Sequence, residues 1–172
     1  MTYIFLDTAL EREQLIAAMA AVRRDVLAAL DALPAESWYT PRYHNWTPAA
    51  MLAHLNTVDG FALRLIQMSL LGIRPAFGTG LVNTVNDFTA RLYRTRKIEA
   101  SRRDTERNLT RLADFITHLP MDRLSKPVWH PLKRKYLTIE QALQEYCLFH
   151  WHMHLQTIHE TEHGQHEHRE GF

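Results

Sequence analysis

Disulfide bonding within the chain is excluded at once. Cys147 is the only cysteine among 172 residues, so a reducing, cytoplasmic setting is the expectation. Long apolar runs are missing too. None approaches the ~20 residues that cross a bilayer, so no membrane partner is expected. Met1-Thr2-Tyr3-Ile4-Phe5-Leu6-Asp7 lacks the basic start and long apolar stretch of a secretory leader. An excess of one charge sign is absent: 20 Lys and Arg stand against 19 Asp and Glu. That balance argues against nucleic acid as a partner. There is no Gly-rich phosphate loop and no Gly-x-Ser-x-Gly. No segment reads as a strand, and there is no internal repeat.

What is present is helical periodicity. Thr8-Ala9-Leu10-Glu11 has the form of a capping box. Leu15, Met19, Val22, Val26, Leu30 and Leu33 follow at three- and four-residue steps, and Pro34 stops this first helix. Thr47-Pro48 is a helix start with an N-cap and a proline at the first helical position. That second helix runs to about Leu71, where Gly72 ends it. A third is expected from Asn83 or Asn86 to His118, with a kink or break near Ser101-Arg102-Arg103-Asp104. Thr138-Ile139-Glu140-Gln141 opens a fourth, which Gly164 closes. Four long amphipathic helices predict an all-α four-helix bundle. Residues 1–163 form its single domain, and residues 164–172 a His-rich flexible tail. The connections 34–46 and 119–137 are long enough for crossovers.

Histidine is the compositional anomaly, at 11 residues. His159, His163, His166 and His168 crowd the C-terminus. His150 and His154 are four apart, so on a helix they share one face, whereas His152 points to roughly the opposite side. Such a pair suits a divalent metal such as Zn or Ni. Two ligands do not make a site. His54 lies on the edge of the apolar stripe of helix two and is expected to face the bundle interior. A lone inward histidine is more often a satisfied core residue. Three converging imidazoles are a different case, because one ion satisfies all of them. Trp151 follows His150 where a zinc protease needs Glu. Glu160-x-x-His163 is the only match to a di-iron half-motif, which needs two. Cys147 is either a thiolate near the histidine face or a small buried apolar residue. The arginines of helix three form a solvated face or meet an anionic partner. Trp38, Tyr39, Tyr43 and Trp46 cover one bundle end or line a pocket mouth.

Trp46-Thr47-Pro48 followed by His54-Leu55, with a distal His150-x-x-x-His154-x-Gln156, resembles the DinB/YfiT-like superfamily. His130-Pro131-Leu132 before Leu137-Thr138, and Leu33-Pro34-Ala35-Glu36 after helix one, are similar as well. The resemblance spans nearly the whole chain. It implies a four-helix bundle with one divalent metal, Zn or Ni, held by His54, His150 and His154. It also implies a metal-dependent hydrolase, or a transferase using a low-molecular-weight thiol of the bacillithiol or mycothiol type, acting on a small molecule. A non-catalytic metal- or ligand-binding bundle is the alternative. The resemblance and the long third helix favour a homodimer.

Overall fold

The computed structural model describes residues 2–43 and 45–167. Its elements in order are α1 (Ala9–Asp31), α2 (Pro48–Leu70), α3 (Thr79–Leu92), α4 (Ile98–His118), β1 (Pro127–His130), β2 (Lys135–Thr138), α5 (Ile139–Gln144), a π-helical turn (Glu145–Phe149) and α6 (His150–Glu167). The last three run on without a break as one final helix. This is the expected four-helix bundle, built from α1, α2, α4 and the final helix. The capping boxes at Thr8 and Thr138 both form, and Thr47 caps α2 through the Ala50 N–H.

The first two long helices, adjacent in sequence, are not packed neighbours. α1 packs on α4 and α6, while α2 packs on α4 and on α5 with its π turn. The consecutive helices α1 and α2 therefore face each other diagonally, and the long 34–46 connection carries the crossover. Leu15, Met19, Val22, Val26 and Leu30 of α1 are all fully buried. Each such side chain contributes about 1.5–3 kcal/mol by leaving water. α2 is the central helix, and every residue from Pro48 to Asn56 is buried.

Three expectations are corrected. The third helix is two helices, and the break falls at residues 93–97 instead of 101. Arg94 to Lys97 are four polar residues in a row, so no apolar side chain seats a helical turn on the core there. Ser101 is buried inside α4, and its carbonyl accepts from Asn56 Nδ2 at 2.9 Å. A strand pair also exists. β1 and β2 form an antiparallel hairpin with Val128 opposite Leu137 and Trp129 opposite Tyr136. Strands of four residues flanked by Pro127 and Pro131 leave too little alternation to stand out. Finally, α6 does not stop at Gly164 but continues to Glu167. One helical glycine costs only about 1 kcal/mol relative to Ala. Residues 168–172 of the expected tail lie outside the described residues.

Candidate metal centre

Two caps set the axial position of the histidine-bearing helices. The Thr47 hydroxyl accepts from Ala50 N at 3.1 Å and donates to the Arg94 carbonyl at 3.3 Å, which ties the start of α2 to the break before α4. Thr138 accepts from Gln141 N at 3.1 Å. The π turn then adds a residue to the helical turn just before His150. π turns of this kind recur at functional sites.

Beside that turn lies a buried ion pair. Arg23 of α1 donates to Asp59 Oδ2 of α2 at 2.6 Å, and Trp151 Nε1 donates to Asp59 Oδ1 at 3.0 Å. Arg23 also donates to the Cys147 carbonyl at 3.1 Å, and its guanidinium lies 4.5 Å from the Trp151 ring centroid. Burial pushes the Asp59 carboxyl up to about 6, against the pull of Arg23. The cluster joins α1, α2 and the final helix at one depth. It leaves the Cys147–Trp151 side of that helix in the core and turns the His150–His154 side toward His54.

The three histidines meet there. His54 Nε2 lies 3.3 Å from His150 Nε2, and His154 Nε2 lies 3.1 Å from the same atom. One ligand nitrogen from each falls within 4.8 Å of the other two. His54 is buried, with the Trp46 ring centroid 4.8 Å from its own; His150 and His154 are half-buried. Burial lowers His54 to about 3 and His154 to about 4, and holds His150 well below its ordinary value. All three are therefore neutral at pH 7, the form that ligates metal. Metal–nitrogen bonds of about 2.0–2.1 Å place tetrahedral ligand atoms roughly 3.3 Å apart. The two separations about His150 Nε2 suit that shell. Hydrogen bonds suit it less well, because His150 Nε2 faces two imidazoles at once and is either a donor or an acceptor. The donor set fits a divalent ion with open positions.

A cavity of about 320 Å³ opens from His54 and His150. Its wall is mostly apolar: Val58, Phe61, Phe77, Leu81, Val85 and Leu132. Among the polar side chains that line it are His130 and Glu145. His130 ends β1 and stacks on Tyr146 at 4.9 Å. Its Nδ1 accepts from the Lys133 backbone N–H at 3.2 Å, so in the neutral ring the proton sits on Nε2, 4.0 Å from Glu145 Oε2. Burial lowers the His130 pKa, opposed by Glu145. Burial works to raise the Glu145 carboxyl, but hydrogen bonds from Lys133 and Tyr3 outweigh it and hold the carboxyl below its usual range.

The sequence pattern marked His130 only as part of a resemblance and did not single out Glu145. Their signal is tertiary, since a hairpin loop and a π turn bring them together. His152 is half-buried and outside the cluster. Cys147 is fully buried beside Asp59, and burial pushes its thiol well up, so it is core and not a ligand. Trp38 and Tyr43 are buried, Trp46 packs on His54, and none of the four loop aromatics lines the cavity. The side chains of His163, His166 and His168 lie outside the described residues.

The family model for the DinB superfamily matches residues 18–158. The chain belongs to the DinB superfamily. Two solved structures share the fold. One is YfiT from Bacillus subtilis, described as a probable metal-dependent hydrolase with an unusual four-helix bundle topology. It superposes with a TM-score of 0.70 at 20% identity, over 92% of this chain and 89% of that one. The other is an uncharacterized protein from Clostridium difficile 630, with a TM-score of 0.70 at 14% identity, over 87% of this chain and 94% of that one. No match to a curated protein was found. Among the described residues of this DinB-superfamily chain, no helix is long and apolar enough to cross a membrane.

Proposed function

We propose that this DinB-superfamily protein is a metal-dependent enzyme for a small molecule, either a hydrolase or a thiol S-transferase. His54, His150 and His154 hold one divalent ion, Zn or Ni. The observation that carries this reading is the meeting of three neutral imidazoles beside a mostly apolar cavity that two of them line. When bound, a divalent ion supplies Lewis acidity, which activates water or a low-molecular-weight thiol at neutral pH. The chain's own residues do the rest. Val58, Phe61 and Leu132 exclude water from the reacting end of the substrate. His130, with its proton on Nε2, donates a hydrogen bond to the oxygen on which negative charge develops, and the ionised Glu145 carboxylate takes up the proton of the attacking group and passes it to the leaving group. The description of YfiT as a probable metal-dependent hydrolase supports the hydrolytic arm. A lone buried thiol suits a cytoplasmic protein.

The test is metal analysis of protein purified without a metal-affinity column, followed by a turnover screen. The screen offers esters, amides and electrophiles, each with and without a thiol. One metal per chain and metal-dependent turnover are expected. Stoichiometric metal with no turnover on any class would leave the non-catalytic binding bundle. Full folding with no metal affinity would overturn the proposal.

A further inference from the structure

A second groove lies beside the cavity and has the opposite chemistry. It encloses about 370 Å³ between α2 and α4, next to the 93–97 turn. Four arginines face it: Arg64 from α2, Arg96 from the turn, and Arg107 and Arg111 from α4. Asp104 is the one carboxylate lining it. The groove thus concentrates three net positive charges in a chain whose formal total is +1.

That carboxylate is already shared. Asp104 Oδ2 accepts from Arg96 at 2.5 Å, and Oδ1 accepts from Arg107 at 2.5 Å. Arg64 and Arg111 have no acidic partner among the described residues. Arg96 Nε is buried with no acceptor. The floor is firm: Asn108 Nδ2 donates to the Asn56 carbonyl at 3.0 Å, and Asn56 Nδ2 donates to Thr105 Oγ1 at 3.1 Å. Arg107 and Arg111 stand at i,i+4, a spacing at which like charges destabilise a helix. A solvated basic face would spread its charges. Here Arg102 turns away to Asp31, and Arg103 does not line the groove. Guanidinium groups gathered in a concave site match the planar oxygens of carboxylate and phosphate.

Thr57 and Phe61 line both the groove and the metal-side cavity. We infer that the groove is an anion subsite and that the substrate is a small amphiphilic acid. Its carboxylate or phosphate sits on the arginines, its apolar segment crosses Phe61, and its reacting group reaches the histidines. The reacting end rests on the function proposed above; the anion end does not.

Inorganic phosphate titrated into the metal-free full chain at fixed ionic strength, followed by amide NMR, reads the subsite alone. Saturable shifts confined to Gly60, Tyr93, Arg96 and Asn108 are expected. The double substitution Arg64→Gln, Arg111→Gln weakens binding at least tenfold, and Arg103→Gln, the same change off the groove, leaves it within twofold. Shifts spread over all basic surfaces, or equal loss in Arg103→Gln, overturn the subsite. 3-Phenylpropyl phosphate then tests continuity. It binds at least tenfold tighter than phosphate and also shifts Val58 and Val85. Equal affinity of the two overturns the shared substrate. Zinc titration monitored at His54 reports the metal site separately, so its failure and that of the anion subsite are distinguishable.

Discussion

His152 and His154 are two positions apart on α6 but about 200° apart around its axis. They make a matched pair for testing the metal centre. In a background with His163, His166 and His168 replaced by Gln, His154→Ala is expected to weaken zinc binding about 100-fold or more. Loss of a ligand exceeds the 10–100-fold cost typical of a supporting residue. His152→Ala keeps full affinity, and calorimetry decides between them; equal loss in both would discard the face assignment. His130→Ala is expected to keep the metal and lower turnover by about 10²–10³, the range for loss of a donor to a developing oxyanion. The buried imidazoles also set a pH dependence. His54 and His154 titrate at about 3 and about 4 in the folded chain, against about 6.5 unfolded. Between those values the unfolded chain binds protons that the folded chain does not. Their contribution is complete above about 6.5 and is lost as pH falls toward 4, at roughly 1 kcal/mol per pH unit for each. Asp59, raised to about 6 by burial, works in the opposite sense over part of that range. Urea denaturation of the metal-free protein at pH 7 and pH 5, alongside His154→Phe, isolates the imidazole. An identical pH response in the two proteins would mean that His154 is not buried as neutral imidazole.

Among the elements, the helix caps and one buried ion pair fix the positions of the ligand-bearing helices. Thr47→Ala and Thr138→Ala are each expected to cost about 0.5–2 kcal/mol. Each should also lower metal affinity, because a frayed start lets the ligand-bearing helix slide along its axis. Unchanged melting and unchanged affinity would remove the caps from the account. The Arg23–Asp59 pair is both a structural tie and a liability. Asp59→Ala strands a buried guanidinium and is expected to cost about 3–5 kcal/mol in chemical denaturation. Arg23→Met combined with Asp59→Ala should recover part of that loss; a double variant no better than the single would show that the charge was not the problem. Much of this was legible in residues 8–11, 47–48 and 138–141, since a cap is a local pattern of side chain and backbone. The ion pair was not, because Arg23 and Asp59 lie on helices that meet only across the core.

The whole molecule raises the question of assembly. Leu81, Val85, Phe88 and Leu92 of α3 repeat at steps of four, three and four and are exposed at 56%, 47%, 63% and 58%. α3 packs chiefly against α2, so Phe88 and Leu92 are available to a second copy. We propose a homodimer through α3 on the strength of this exposed apolar face. Sedimentation is expected to give twice the 20.1 kDa chain mass at micromolar concentration, and Phe88→Glu should return it to the monomer. A wild-type species at the single-chain mass would count against the dimer.

Sequence alone determined the helical class, the caps at Thr8, Thr47 and Thr138, the stops before Pro34 and Gly72, and the face shared by His150 and His154. These follow from periods of 3.6 residues and from capping chemistry, both of which act within a few positions. It also pointed His54 inward, from the apolar stripe around it. Only the tertiary structure decided that His54 meets the pair, since no local rule relates the azimuth of one helix to that of another. The same holds for the diagonal placement of α1 and α2, the hairpin that presents His130, and the π turn that presents Glu145. The arginine groove is the clearest instance. Arg64, Arg96, Arg107 and Arg111 come from two helices and a turn, and their charges add only because the bundle sets α2 beside α4.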